Sequence, residues 1–421
     1  MERLPRYLSQ TIEVLPVKFH KEDYLDPELK SRKRVFGPKV FLLTMFQLVG
    51  SVGKEGYDHA LIKVFGTEKA PRKSSLSQLR SKISYKFLEK ILRKTLEQFS
   101  PHRPTYKGMH IYAVDGWQIT LPRSKNIVDK GYTGRKTSKY KESYMPKGYI
   151  THAYEVLSET TKNIAVNNSP TELADALTFV DSLEKNSITL YDRAYFSRSL
   201  CIHHLNAQNF FIARCRSNSN QQIKEFFEDT NRDEGSMYYD AEYGKKKIWF
   251  IKVYNSHTKE TLVFATNLSR EWRNKKTFEQ LYQLRWGAET SFYELSETIK
   301  VQQWHSKSFN GVLQELYTAL LIINLTKILS FFSRGQKTIN PEKISYKKPN
   351  FKLLMNCFLK FLLESKPQLS HLIHKFRALI KRSTEKRKRR TRTYPRVIMS
   401  PASPYPHKGS EWFWEKGRGL K

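Results

Sequence analysis

Hydrophobic positions follow a helical period in the first quarter of the chain, alternate through its middle, and return to the helical period afterwards. Residues 1 to about 105 read as helical. Pro38 sits where a helix can begin, and Val40, Phe41, Leu42, Met45, Phe46 and Val49 form its apolar run before Gly50 and Gly53. A shorter helix carries Ala60, Leu61, Val64 and Phe65 and closes at Gly66. Ser75-Leu76-Ser77-Gln78 then fits a capping box that opens a longer helix, with Leu79, Ile83, Phe87, Ile91 and Leu92 as its buried stripe.

From about residue 108 the period shortens. Ile111-Tyr112-Ala113-Val114-Asp115 predicts a strand with an acid at its end, and Ile150 to Leu157 with Asn163 to Val166 predicts a hairpin. Residues 170–184 look helical, and Ile188-Thr189-Leu190-Tyr191-Asp192 is again a strand ending in an acid. A helix through Leu200 and a strand at Phe210-Phe211-Ile212-Ala213 follow, a succession that belongs to a mixed α/β sheet with helices packed on it. Residues 216–268 interrupt that pattern with a polar connection, Ser217 to Gln222, and strands at Lys247 to Val253 and Leu262 to Ala265, which read as a small β insertion. The helical period resumes from Trp272 to Lys300 and from Phe309 to Phe332, then from Leu353 to Leu363 and over 367–382. The expected organisation is a helical region over 1–105, a first half of an α/β core over 106–215, a β-rich insertion over 216–268, the second half of the core over 269–332, and a helical C-terminal region with a basic tail over 333–421.

Charge narrows the function. Seventy-four Lys and Arg against forty Asp and Glu leave a net charge of +34 and a pI near 9.9. An excess of that size points to a polyanion, because each neutralised phosphate releases condensed counterions and adds affinity that is independent of sequence. A short helix, a turn and a second helix, with Arg72, Lys73, Arg80 and Lys82 near the second start, resemble a helix-turn-helix reader; a plain helical bundle is the alternative. Between Lys381 and Arg396 nine Lys or Arg meet one acid, a block suited to touching phosphates without reading sequence. The linker from Arg123 to Lys147, with eight Lys or Arg and several Tyr, joins the first two strands beside Asp115 and is placed to border a DNA groove. The three cysteines, Cys201, Cys215 and Cys357, match no zinc-ribbon spacing, and Cys201 with His203 and His204 reads as part of an ordinary helix. The start of the chain has no signal-peptide core, and the apolar run Leu316 to Phe332 is broken by polar residues, so a buried helix is expected there and no membrane partner. The expected compartment is the cytoplasm with its nucleoid, or the nucleus of a host that has one.

The candidate chemistry lies in carboxylates. In a sheet, residues at neighbouring strand ends lie close together, so Asp115 and Asp192 can share a metal ion. Hard oxygen ligands suit Mg²⁺ or Mn²⁺, and two such ions about 4 Å apart can activate a water or a 3′-hydroxyl and stabilise the leaving oxygen of a phosphodiester. On the helix after the insertion, Leu281, Leu284, Ala288, Leu295 and Ile299 cluster on one arc. Tyr282, Arg285, Glu289 and Ser296 cluster on a second, roughly 110° round from the first. One stripe packs; the other offers a phenol, a guanidinium and a carboxylate to a common site.

Asp115-Gly116-Trp117, Tyr191-Asp192-Arg193-Ala194-Tyr195 and Tyr282-x-x-Arg285-Trp286-x-x-Glu289 resemble, in order, the three motifs of the IS4 family of DDE transposases. Phe264-Ala265-Thr266-Asn267-Leu268 is similar to that family as well, and the resemblance runs over roughly residues 75–330. It implies a ribonuclease-H-like catalytic domain interrupted by a β insertion. It also implies cut-and-paste transposition with two Mg²⁺ ions (Mn²⁺ as a substitute), and a homodimer holding the terminal inverted repeats of an element and its target DNA. Carried over, Asp115, Asp192 and Glu289 are metal ligands, while Tyr282 and Arg285 contact DNA near the cleaved end, with Arg193 beside them. Trp249 and Trp286 are candidates to stack on a flipped base. Three positions depart from the pattern: Ser296 stands where the family usually has Lys, Ala194 where Gly is frequent, and Trp117 where a small hydroxyl residue is commoner. Lys300, read as one turn further along the face of Ser296, is expected to supply the missing charge. A nuclease of the same fold and a transposase-derived DNA-binding regulator without catalysis are the alternatives.

Overall fold

The computed structural model describes residues 19–26, 36–51, 55–134, 144–242, 244–255, 260–334, 347–364 and 368–386. The basic tail beyond Lys386 and the middle of the Arg123–Lys147 linker lie outside the described residues.

Among the described residues four α-helices precede the sheet: α1 (Pro38–Gly50), α2 (Tyr57–Phe65), α3 (Lys73–Lys82) and α4 (Lys86–Phe99). Pro38 occupies the first turn of α1, where its missing N–H costs nothing, and Gly66 ends α2 at φ 79°, a conformation that suits a residue without Cβ. The single long helix expected from Ser75 is instead α3 and α4. The break falls at Ile83, which leaves the helix for an extended conformation and bridges to Tyr24. Its carbonyl is taken by the side-chain amides of Asn310 and Gln314, and these long-range bonds outweigh one more helical turn. Ser75 lies inside α3 and makes no cap. Arg80, grouped by sequence with the basic residues of a DNA reader, points inward and pairs with Glu315 at 2.8 Å. Arg72 and Lys73 remain exposed.

Among the described residues, eight strands make the main sheet: β1 (His110–Thr120), β2 (Lys147–Glu155), β3 (Thr160–Asn167), β4 (Ser187–Tyr191), β5 (Phe210–Arg214), β6 (Glu234–Ala241), β7 (Gly244–Asn255) and β8 (Glu260–Thr266). They form one sheet in the order β3-β2-β1-β4-β5-β8-β7-β6. The first three pair antiparallel as a meander, and β1, β4 and β5 run parallel. That arrangement is ribonuclease-H-like, as expected. The strands of residues 216–268 do not make a separate layer: β8 pairs antiparallel with β5 and carries β7 and β6 as an extension of the same sheet.

Alternation along the strands sends side chains to two cores. Val114, Ala153, Tyr191, Phe211 and Ala213 face α6 (Glu172–Val180) and α7 (Arg198–Ala207), which follow the short helix α5 (Lys125–Val128) in the chain. After a further short helix, α8 (Gln221–Glu228), come α9 (Lys275–Leu284) and α10 (Trp286–Tyr293). These lie on the opposite face, where Ala113, Ile188, Leu190, Ile212 and Phe264 meet Phe278, Leu281 and Ala288.

The continuous helix expected from Trp272 to Lys300 is thus divided at Arg285, and α10 runs on into a π turn over Glu294–Thr298. Glu294 accepts from Lys327 at 2.6 Å, and Leu295, Ile299 and Val301 are buried in the helical core, which fixes the wider turn. Lys327 belongs to α11 (Phe309–Arg334), the 26-residue central helix. By length and composition α11 is apolar enough to cross a membrane, yet 83% of its most apolar window is buried inside the protein. Asn324 pins it to β3 by exchanging hydrogen bonds with the backbone of Thr161, both at 3.0 Å. Helices α12 (Phe351–Phe361) and α13 (Leu369–Ser383) complete this core.

Candidate active site

Asp115 stands in the middle of β1 rather than at its end, because the strand runs on to Thr120. The expectation of a terminal acid missed this, since Gly116 looks like a strand breaker. Val114 is level with Tyr191 in the parallel pair β1–β4, so the next residue on each strand sets Asp115 beside Asp192. On the other side Asp115 lies directly opposite His152 of β2. His152 is a buried ring stacked on Phe292 at 4.1 Å, and burial pushes it down to about 3, so it is neutral.

Helices α9 and α10 bring three more side chains to these acids. Tyr282, its ring 4.7 Å from that of Phe264, donates its hydroxyl to Asp192 Oδ1 at 3.2 Å. Arg285, at the junction of the two helices, donates through Nη1 to Asp115 Oδ2 at 3.4 Å and through Nη2 to Glu289 Oε1 at 3.1 Å. Residues from one strand, one strand end and two helices therefore meet around one guanidinium.

Burial pushes the Asp115 carboxyl up to about 6. Arg285 and the Gly116 N–H, which donates to Asp115 Oδ1 at 3.0 Å, pull against that rise, while Glu289 and Asp192 add to it. Tyr282 is pushed up to about 12, by burial first and by Asp192 next. Burial works against the charge on Arg285, but Tyr282 and the three carboxylates hold its proton more firmly than usual. The site is an acidic cluster with the Arg285 guanidinium set among its carboxylates.

Among the described residues no three His, Cys, Asp or Glu side chains stand grouped to hold a metal ion, and the Arg285 guanidinium lies between Asp115 and Glu289. The donor chemistry itself, carboxylate oxygens gathered by Arg285 and Tyr282, is the kind a hard divalent ion takes. The fit is chemical, and a metal ion would replace Arg285 as the partner of these oxygens.

Other residues expected at the site fall in different places. Arg193 is exposed next to Asp192, and Trp286 is 52% exposed with the Arg285 guanidinium 5.8 Å from its ring centre. Trp249 lies on β7, separated from β4 by β5 and β8, which is about 14 Å at ordinary strand spacing. Its ring is packed against Arg273 at 3.5 Å and Lys247 at 4.1 Å. Lys300 does not continue the Glu289 face: it lies past the π turn with φ 55° and is exposed. The departing residue Trp117 packs on Phe292 of α10 at 5.5 Å, which gives its bulk a structural role.

Sequence reading passed over Glu172, the first residue of α6. A Cβ on Gly116 would stand 2.1 Å from both Cδ and Oε1 of Glu172, so this carboxylate rests on the bare backbone next to Asp115. Tyr195 donates its hydroxyl to Glu172 Oε2 at 3.3 Å. The available signal was Gly116 itself, a glycine inside a strand, which often marks the close approach of another group.

Residues 106–325 match a family model described as the transposase DDE domain. No curated protein matches the sequence. Among solved structures the chain is similar to a piggyBac transposase synaptic complex with hairpin DNA determined by cryo-electron microscopy, at 13% identity over 90% of this chain and 82% of that one, with a TM-score of 0.39.

Proposed function

The chain belongs to the DDE-domain transposases, and from that premise we propose that it cuts the ends of a mobile element and joins them to target DNA, with Asp115, Asp192 and Glu289 as the catalytic carboxylates. The observation that carries this reading is the convergence of Tyr282 on Asp192 and of Arg285 on both Asp115 and Glu289. Those carboxylates would hold two Mg²⁺ ions, which would supply an activated water or 3′-hydroxyl and stabilisation of the leaving oxygen. The IS4 subfamily, the cut-and-paste course, the homodimer on DNA and a nucleoid location belong to the same proposal.

Each side chain has a part in this chemistry. Asp115, Asp192 and Glu289 hold negative oxygens fixed on rigid elements, so little reorganisation is needed when cations and phosphate arrive. Arg285 keeps those oxygens from repelling one another before then. Its planar fork suits a phosphate oxygen equally well, so it changes partner from carboxylate to scissile phosphate without a change of charge. Tyr282 orients Asp192, and its phenol stays protonated as a donor at neutral pH. Arg193 and the exposed Trp286 flank the acids and contact the DNA strand, the indole by stacking. Trp249 and Lys300 contribute to the basic and aromatic surface away from the acids. No side-chain nucleophile is required.

The test is a strand-transfer assay with a labelled duplex carrying one element end and an unlabelled target in Mg²⁺. Joined product that Asp192→Asn abolishes, while DNA binding persists, supports the transposase. Cleavage that never yields joined product makes the chain a nuclease of the same fold. Binding without cleavage in either Mg²⁺ or Mn²⁺ makes it a regulator.

A further inference from the structure

Arg273 lies between the 3₁₀ turn Arg270–Trp272 and α9, with a side chain only 5% exposed. Its guanidinium makes no hydrogen bond to any described residue. Nε and Nη1 are closed off without a partner, which leaves Nη2 as the edge that reaches the surface. Among the described residues the one carboxylate within ion-pair reach is Glu234, 3.6 Å from Nε and itself 46% exposed. A buried guanidinium gives up its hydration and ordinarily takes hydrogen-bonded acceptors in exchange. Here that exchange is missing.

What holds Arg273 in place is Trp249. The guanidinium carbon lies 3.5 Å from the centre of the indole, and Lys247 Nζ lies 4.1 Å from the same centre. Lys247 has no ion pair or hydrogen bond with a described residue, and its second aromatic neighbour is the exposed Tyr238, 5.6 Å away. An aromatic face attracts each cation but supplies no negative charge. Two positive charges are therefore fixed against one ring, with the half-exposed Glu234 as the one acid beside them.

The place of this pair in the sheet matters. Trp249 packs against the core that holds Ile251, Val253 and Ala113, and Asp115 continues the face of Ala113. The pair and the catalytic acids thus share one side of the sheet. Trp249 is level with Thr266, Ile212 and Leu190, so it stands two residues short of Asp192 along the strands and about 14 Å across them. That span is on the order of four base-pair steps of duplex DNA.

We propose that Arg273 and Lys247, fixed on Trp249, form a binding site for a backbone phosphate of duplex DNA. Nη2 and Nζ supply the donors, and Trp249, its ring carrying two cations and packed on the core, is the scaffold. The inference rests on the reading above that the chain acts on DNA, and it deepens that reading by naming which groups grip the backbone beside the acids. Because the fold already orders both cations, little side-chain freedom is lost when the phosphate arrives.

The test measures binding of the full chain to a labelled non-specific duplex by fluorescence anisotropy over a series of salt concentrations. Arg273→Gln and Lys247→Gln are each expected to weaken binding and to make the slope of log affinity against log salt shallower by about one unit. Lys246→Gln removes the same charge from the opposite face of β7, where Ile248 and Phe250 point, and is expected to leave the slope unchanged. Urea unfolding without DNA is expected to show the wild-type midpoint in Lys247→Gln, whose side chain bonds to no described residue, so its effect on DNA is not a folding defect. Slopes unchanged in both Arg273→Gln and Lys247→Gln, or lowered equally by Lys246→Gln, overturn the phosphate site. Metal-dependent cleavage that persists beside unchanged slopes overturns this site alone. The expected slopes in a protein that never cleaves DNA sink the transposase reading and uphold the site.

Discussion

Arg285 donates to Asp115 at 3.4 Å and to Glu289 at 3.1 Å, so a single guanidinium joins the centre of the sheet to the helix laid across it. Arg285 is 6% exposed, and its Nε has no hydrogen-bond partner among the described residues, so both of its bonds are spent on acids. Replacing it leaves two like charges facing each other in a partly dry site. Arg285→Ala is expected to move the titration of Asp115 upward from about 6, read by carboxyl-carbon NMR of the metal-free protein. An unchanged midpoint would show that this guanidinium is not the counter-ion.

Stability against pH should carry the opposite sign from that of an ordinary surface aspartate. The folded Asp115 carboxyl sits at about 6, above its unfolded value, so the folded state binds the proton more tightly. Its stabilising contribution is complete below about pH 4 and is lost as pH rises through 6, a swing of at most about 3 kcal/mol. Asp115→Asn cannot ionise and escapes that loss. In chelator, urea melts at pH 4.5 and 7.5 should find the variant gaining on the wild type at the higher pH. A constant or shrinking gap contradicts the assignment. A gain in stability with loss of activity is the usual mark of a functional acid.

The buried pair of Arg80 and Glu315 is a structural clamp between α3 and α11. Glu315 is fully buried and also accepts from the backbone N–H groups of His305 and Ser306 at 2.9 and 3.0 Å. Burial opposes its ionisation, but Arg80 and His305 win and hold it at about 2. Arg80→Ala strands that charge and should cost about 3–5 kcal/mol in denaturant unfolding at pH 7. The penalty should shrink as pH falls below about 4, where the unfolded chain protonates its glutamates. An Arg80→Ala protein of wild-type stability with weakened DNA binding would instead return Arg80 to a DNA-reading role.

Much of the fold was legible because its strands announce themselves. Residues 111–114, 150–155 and 188–191 alternate or run apolar, and each is a strand of the sheet. What failed were the places where distant contacts override local pattern. The stripe from Leu79 to Leu92 is helical throughout in sequence, but Asn310 and Gln314 capture the backbone at Ile83 from more than 220 residues away. Lys300 lies on the right arc of an ideal wheel, and the π turn that displaces it is anchored by Lys327 on another helix. The convergence of Tyr282, Arg285 and Glu289 was readable from spacing alone, since four residues make about one turn. The contact of Glu172 with Gly116 was not readable, because that neighbour lies 56 residues earlier and has no side chain to align with it.

Binding to duplex DNA should depend steeply on salt. With 34 excess positive charges and phosphate contacts on the order of six to ten, affinity for a non-specific duplex should fall about 10³–10⁵-fold between 50 and 200 mM salt. Removing residues 387–421, the strongly basic end, should lower the slope of log affinity against log salt by several units, by fluorescence anisotropy at a series of salt concentrations. A slope unchanged by truncation would place the phosphate contacts entirely on the folded domain.

The central claim is that Asp115, Asp192 and Glu289 act together on a phosphodiester. It is tested most directly by cleavage of a labelled duplex carrying the flanking element end, with and without Mg²⁺, comparing the wild type with Glu289→Ala. The account predicts metal-dependent nicking at the element boundary by the wild type, and a loss of at least about a thousandfold in the variant with DNA binding retained. Nicking that persists in Glu289→Ala, or that needs no divalent ion, would contradict it.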